Sequence, residues 1–358
     1  MVLQQPDGRT TPRGPSTVRV AHRGGTLTAV LTACVLALVA PDPEAYAQEM
    51  EPRAYSSSPV GLNFVAIAAG NTRGAILFDP TVPITDASAD LNLGAIGYAR
   101  TFGLAGKQGL AAAGFSYARG DLEGLVDGDA RRTGRSGLTD MRAKVSLNLV
   151  GPGVLTREEF AAAPKQTILG VSLTIQPPTG QYDETRLINI GTNRWAFKPE
   201  VGVSVPVGRW FLDAYAGVWL FTANEEFYPG EATRRQDPLY SVQGHASYTF
   251  RTRAWVAFDV TWYGGGEATV DDGPPSTRQN TTRVGGTGSI PITHRQSIKI
   301  AVSTGAAERT GSDFNTGLIA WQFAWFDRPA AAQRGAAPDR RLLEVRPAGH
   351  ARVSAVTR

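Results

Sequence analysis

From Gly61 to Phe326 the chain alternates ~10-residue runs that read as strands with connections of two kinds, and the kinds themselves alternate. One kind is short, as at Val207-Gly208-Arg209 and Arg251-Thr252-Arg253. The other is long, polar and rich in Gly, Pro and charge, as from Asn224 to Pro238 and from Gly264 to Gln279. A soluble β-sandwich has no cause to sort its loops by length in alternation. A barrel threaded through an outer membrane does, because its short turns face the periplasm and its long loops face outward. The expected fold is all-β: a transmembrane, antiparallel, up-and-down barrel.

Reading for period 2 gives about twelve strands, at 61–69, 90–101, 109–118, 139–150, 166–175, 195–205, 210–221, 239–250, 254–263, 280–289, 296–304 and 316–326. An even number returns both ends of the barrel to the periplasm. In 139–150, Thr139, Met141, Ala143, Val145, Leu147 and Leu149 oppose Asp140, Arg142, Lys144, Ser146 and Asn148. In lipid the apolar faces point outward and the polar faces line the bore. Period alone cannot separate this from a soluble sandwich with a dry core; export and the loop asymmetry decide. The expected bore lining is Arg100, Asp140, Arg142, Lys144, Lys198, Glu200, Asp213, Asp259, Arg283 and Lys299, where ion-pair filling and a solute path are both open. Aromatic residues such as Trp195, Trp210, Trp262 and Trp325 gather toward strand ends, as in the girdles of membrane barrels.

Thr26 to Ala40 is an apolar run of signal-peptide length, preceded by Arg19 and Arg23 and followed by Ala45-Tyr46-Ala47. The domains expected are a signal peptide (1–47), a periplasmic N-terminal segment (48–60), the barrel (61–326) and a disordered basic tail (327–358). Leu31-Thr32-Ala33-Cys34 also fits a loose lipobox, though the apolar run continues beyond it. Cys34 is the one cysteine, so a mature chain has no thiolate metal site or disulfide. The net charge of +4 is misleading: the tail from Asp327 carries seven Arg against three acids, residues 1–47 four Arg against three, and the rest is −1. Nothing points to nucleic acid.

The histidines His22, His245, His294 and His350 are scattered, without metal-ligand spacing, and no metal or cofactor is expected. His245 and Ser247 share a strand face, which leaves an outer-membrane hydrolase conceivable; two residues on one strand are not a triad. Asp127-Gly128-Asp129 and Asp271-Asp272-Gly273 read as turns rather than calcium loops. Gly285-Gly286-Thr287-Gly288 lies in a strand, where it cannot cradle phosphate.

Gln176-Pro177-Pro178-Thr179-Gly180-Gln181-Tyr182, Ile190-Gly191-Thr192-Asn193-Arg194-Trp195, Lys198-Pro199-Glu200-Val201-Gly202, Trp219-Leu220-Phe221-Thr222-Ala223-Asn224, Gln236-Asp237-Pro238-Leu239 and Gly311-Ser312-Asp313-Phe314 together resemble a specific family. It is the outer-membrane, transporter-like barrel family named for the MetA-pathway of phenol degradation. The resemblance implies a Gram-negative outer-membrane barrel, a transporter rather than an enzyme, loosely associated with breakdown of aromatic compounds. It transfers no catalytic or binding residue.

Function is therefore expected in passive passage of small solutes, with hydrophobic or aromatic compounds in view. A plugged structural or adhesive barrel with partner-binding loops is the alternative. The loop 176–194 is the candidate solute loop, through Thr179, Tyr182, Asn193, Arg194 and Trp195. Expected partners are outer-membrane lipid and, through the aromatic-ended last strand, the barrel-assembly machinery. One connection, Gly151 to Lys165, is too long for a periplasmic turn.

Overall fold

A strand with lipid on one side and a polar bore on the other must alternate its side chains, and the computed structural model folds these runs that way. It describes residues 50–75, 84–126, 128–276, 278–310 and 314–327. The expected signal peptide, Cys34, and all of the expected tail but Asp327 lie outside the described residues. The elements are β1 (Leu62–Ala75), β2 (Ile84–Leu104), β3 (Lys107–Val126), β4 (Asp129–Leu138), β5 (Arg142–Val150), α1 (Arg157–Ala162), β6 (Ile168–Gln176), β7 (Ala196–Val207), β8 (Trp210–Phe221), β9 (Asn224–Phe227), β10 (Ala232–Gln236), β11 (Leu239–Thr249), β12 (Trp255–Gly265), β13 (Ala268–Val270), β14 (Gln279–Pro291), β15 (Gln296–Thr310) and β16 (Phe314–Phe326).

The twelve expected strands are β1, β2, β3, β5, β6, β7, β8, β11, β12, β14, β15 and β16, each antiparallel to the next. Asn63 on β1 sits opposite both Arg100 on β2 and Trp325 on β16, so the sheet closes on itself. Outward residues Ala113, Phe115 and Tyr117 of β3 alternate with buried Ala112, Gly114, Ser116 and Ala118. Ile67, Phe258 and Val302 are more than half exposed (52%, 58% and 57%), while Lys198, Asp259 and Arg283 are buried (2%, 0% and 0%). Charge inside and aliphatic surface outside is the reverse of a soluble domain, which removes the ambiguity that period 2 leaves.

Turns at one end are tight. β2 and β3 join through Ala105 (φ 49°) and Gly106 (φ 74°), the two-residue geometry whose twist matches paired strands. At the same end, Gly151 to Lys165 holds α1 within its length. Thr156 caps the helix and the Glu159 carboxylate accepts from the Thr156 N–H at 2.8 Å. The connection is long because it packs on the rim: Leu155 O accepts from Val60 N at 3.0 Å, and Arg157 lies over the Phe326 ring.

Strand β4 and the small sheet β13-β10-β9 were not expected. β4 reads DARRTGRSGL and pairs with the far end of β3, where no apolar face is needed. Sheet β13-β10-β9 is built from the two long connections flanking β11 and β12, with Asp271 Oδ1 accepting from Thr233 N at 2.7 Å. The Asp271 motif is thus a turn fastened to a neighbouring loop.

Candidate functional site in the bore

Residues 50–60, expected in the periplasm, rise into the barrel instead. Gly61 (φ 73°) reverses the chain at the rim, and from Glu51 to Pro59 every residue except Ser57 is buried. The segment is polar, and the wall supplies its partners. Ser58 N donates to Gln108 Oε1 at 2.9 Å. Tyr55 OH donates to Glu200 Oε1 at 3.0 Å and meets Ser172 Oγ at 2.9 Å. Arg53 donates from its backbone N to Asp213 Oδ2 (3.0 Å), from Nε to Ser247 Oγ (2.8 Å) and from Nη2 to Thr249 Oγ1 (2.8 Å). Its guanidinium also lies 4.7 Å from the ring centres of both Phe211 and Trp255. A segment held by charge-assisted bonds to several strands behaves as part of the core.

The expected bore charges divide between this plug and the wall. Glu200 sits among cations: Lys198 Nζ at 2.7 Å and Lys144 Nζ at 3.7 Å. Lys144 also pairs with Glu51 of the plug at 2.7 Å. Removing one partner of such a buried pair costs about 3–5 kcal/mol, because the other is left charged and dry. Further along the same wall, on β11 and β12, His245 Nδ1 lies 2.8 Å from Asp259 Oδ1, and Thr287 Oγ1 donates to Asp259 Oδ2 at 2.7 Å. Ser247 Oγ accepts from Arg53 Nε, which ties that hydroxyl to the plug. Arg283 donates to Phe314 O at 2.7 Å, and Lys299 lies over the Trp255 ring.

Arg100 is the exception. Its neighbours Ala99 and Thr101 point inward, while Arg100 faces outward and pairs with Asp327 at 2.6 Å. A charge near a strand end is at headgroup level, where the outer face tolerates it; such a residue reports height, not side.

The loop 176–194 folds inward over the opposite mouth. The Asp140 carboxylate holds it, accepting from Gly180 N (2.6 Å), Thr192 N (2.9 Å) and Thr192 Oγ1 (2.6 Å). This use of Asp140 takes 139–141 out of the expected strand. Ile188 packs on Leu91 and Leu122, and Ile190 on Leu93 and Ala118, all on the inner face of β2 and β3. Three of the expected solute residues are tethers: Thr179 Oγ1 accepts from Met141 N (2.8 Å), Tyr182 OH donates to Glu226 O (2.9 Å), and Asn193 (φ 52°) donates to Asn224 Oδ1 (3.0 Å). Arg194 is buried, bonded to Gln236 and stacked over Phe221, whereas Trp195 stays outside beside Phe197. Below this loop Trp219, Leu239, Tyr263 and Ala196 form an apolar cluster within the bore.

The family described as "Putative MetA-pathway of phenol degradation" matches residues 72–321 of the 358. The chain belongs to this family. No curated protein matches the sequence. Among solved structures, an outer membrane channel from Pseudomonas putida F1 is similar at TM-score 0.63 and 19% identity, covering 77% of this chain and 100% of that one. The transport unit of the autotransporter AIDA-I from Escherichia coli follows at TM-score 0.47 and 12% identity, covering 79% and 95%. The CymD monoaromatic hydrocarbon channel aligns at TM-score 0.38 and 8% identity, covering 75% and 90%.

In this member of the MetA-pathway family, the motif residues Lys198, Glu200, Arg194, Asn224 and Gln236 all belong to the networks just described, and Gln176 Oε1 accepts from Arg142 Nε at 3.0 Å. Sequence reasoning missed Glu51, Arg53, Tyr55, Ile188 and Ile190. For the isoleucines a signal existed: Leu91 and Leu93 put apolar side chains on a bore face, which needs an apolar partner.

Proposed function

We propose that this protein is an outer-membrane channel for small solutes, held shut by its own residues 50–60 on the periplasmic side and by 176–194 on the outer side. The observation that carries this reading is that the closure is made by chain segments lying in the bore. Segments can move, whereas a bore filled by its own wall cannot open without breaking the sheet. Family membership and the likeness of the fold to outer-membrane channels support it. Rings of Tyr215, Trp219, Trp255 and Tyr263 line the bore beside polar groups, which suits small aromatic or hydrophobic compounds. Passage is passive, with selectivity set by the width left when the segments move and by the wall charges.

The depth of the plug also favours a permanently sealed, structural barrel. Liposome flux of a small aromatic solute and of ions separates the two readings. Under the channel reading, deletion of residues 50–60 raises flux well above wild type while the barrel stays heat-modifiable on a gel. A folded, deleted barrel that remains as tight as wild type would overturn the channel reading.

A further inference from the structure

The outer face of β1, β2 and β3 changes chemistry abruptly. On β3 it runs Lys107, Gly109, Ala111, Ala113, Phe115, Tyr117, then Arg119, Asp121 and Glu123. Arg100 at the rim sits opposite Ala111, and Asn92 sits opposite Arg119. The eight steps from Arg100 to Asn92 span ~27 Å of strand, or ~21 Å along the normal at a tilt of ~40°, close to the ~25 Å apolar band of such barrels. Arg119 therefore lies at the outer-leaflet headgroup plane. The neighbouring strands reach the same plane with Arg73 and Asp90.

These side chains line a groove of about 990 Å³ with Asn92, Tyr117 and Arg132 on the wall's outward side. Its pairs are exposed to solvent: Arg73 lies 3.9 Å from Asp90, with side chains 78% and 46% exposed, and Arg132 lies 2.9 Å from Asp121 and 3.3 Å from Glu123. Arg119 makes no ion pair or side-chain hydrogen bond among the described residues. Exposed pairs of this kind are worth little, so exchanging carboxylate for phosphate costs little.

We propose that this groove docks the phosphorylated sugar headgroup of lipopolysaccharide, resting on the outer-membrane reading above. Arg119, Arg73 and Arg132 take phosphate oxygens through their guanidinium forks. Asp90, Asp121 and Glu123 accept hydrogen bonds from the sugar hydroxyls beside those phosphates. Acyl chains descend over Tyr117, Phe115 and Ile96. The mixed signs favour a phosphosugar, which offers many hydroxyls as well as phosphates, over a lone phospholipid.

The test is native mass spectrometry of the full-length protein, extracted from outer membranes in mild detergent with magnesium. The probes are deep-rough lipopolysaccharide, the same lipid dephosphorylated, and phosphatidylglycerol. Wild type is expected to retain the phosphorylated lipid alone. Arg73→Ala/Arg119→Ala/Arg132→Ala should weaken it by at least about tenfold. Lys107→Ala, on the same face beyond the opposite rim, should leave it unchanged. Equal binding by the triple variant, equal binding of dephosphorylated lipid, or equal retention of phosphatidylglycerol overturns the proposal while leaving the barrel standing. A wild-type chain that fractionates away from the outer membrane overturns both.

Discussion

Gly170 and Gly202 stand directly opposite each other on β6 and β7, and the ring of Tyr55 lies against both. A Cβ added at either position would collide with that ring, and at Gly202 with Tyr215 as well. Tyr55 and Tyr215 themselves meet edge to face, 5.1 Å between centres. Two glycines paired across strands thus make the seat in which the plug rests.

Gly202→Ala should unseat the plug without removing any polar group. Neither glycine needs a left-handed backbone, so the effect is steric. Conductance in planar bilayers is expected to rise above wild type, and a Tyr55→Ala background should abolish the difference. A Gly202→Ala channel as quiet as wild type would falsify the seat.

Asp140→Ala removes the acceptor of three loop hydrogen bonds. Charge-assisted bonds contribute about 1.5–3 kcal/mol each, more than the packing of Ile188 and Ile190 can replace. The loop should come free, and trypsin added to whole cells should cut after Arg186, whose side chain is already 53% exposed. Unchanged resistance would show that the isoleucine contacts suffice.

Ile96→Arg places a charge on the lipid side of β2 near mid-membrane. Such substitutions cost about 2–4 kcal/mol at the midplane, so the unfolding midpoint in lipid vesicles should fall. Arg100, four residues along the same face at the rim, already carries a charge with Asp327 as partner, and Arg100→Ile should change the midpoint little.

At α1 the Glu159 carboxyl is held below its ordinary value of 4.5, chiefly by the Thr156 backbone N–H that it accepts from. A lowered folded-state value means the cap contributes above the unfolded value and is lost as pH falls through the folded one. Amide exchange in 157–162 should accelerate, after correction for intrinsic rate, as pH drops below about 4, and Glu159→Gln should remove that dependence.

Strand number, face polarity and the alternation of turns were legible because each is written locally: a two-residue period, then a short or long polar gap. All twelve barrel strands lie within a few residues of their expected positions, except that β1, β2, β3 and β15 run well past the membrane, where period 2 leaves no apolar trace. Nine of the ten expected bore charges, Asp140 through Lys299, face inward and are buried. Arg100 failed because a rim charge can face either way.

By itself the sequence determined a closed membrane barrel and most of its polar lining, since lipid permits only one arrangement of a strand with a single apolar face. Only the tertiary structure decided what fills the bore. Arg53 and Tyr55 find Asp213, Ser247 and Glu200 more than a hundred residues away. A match between a polar segment and a distant polar wall has no period and no local signature, so it exists only once the strands have closed around it.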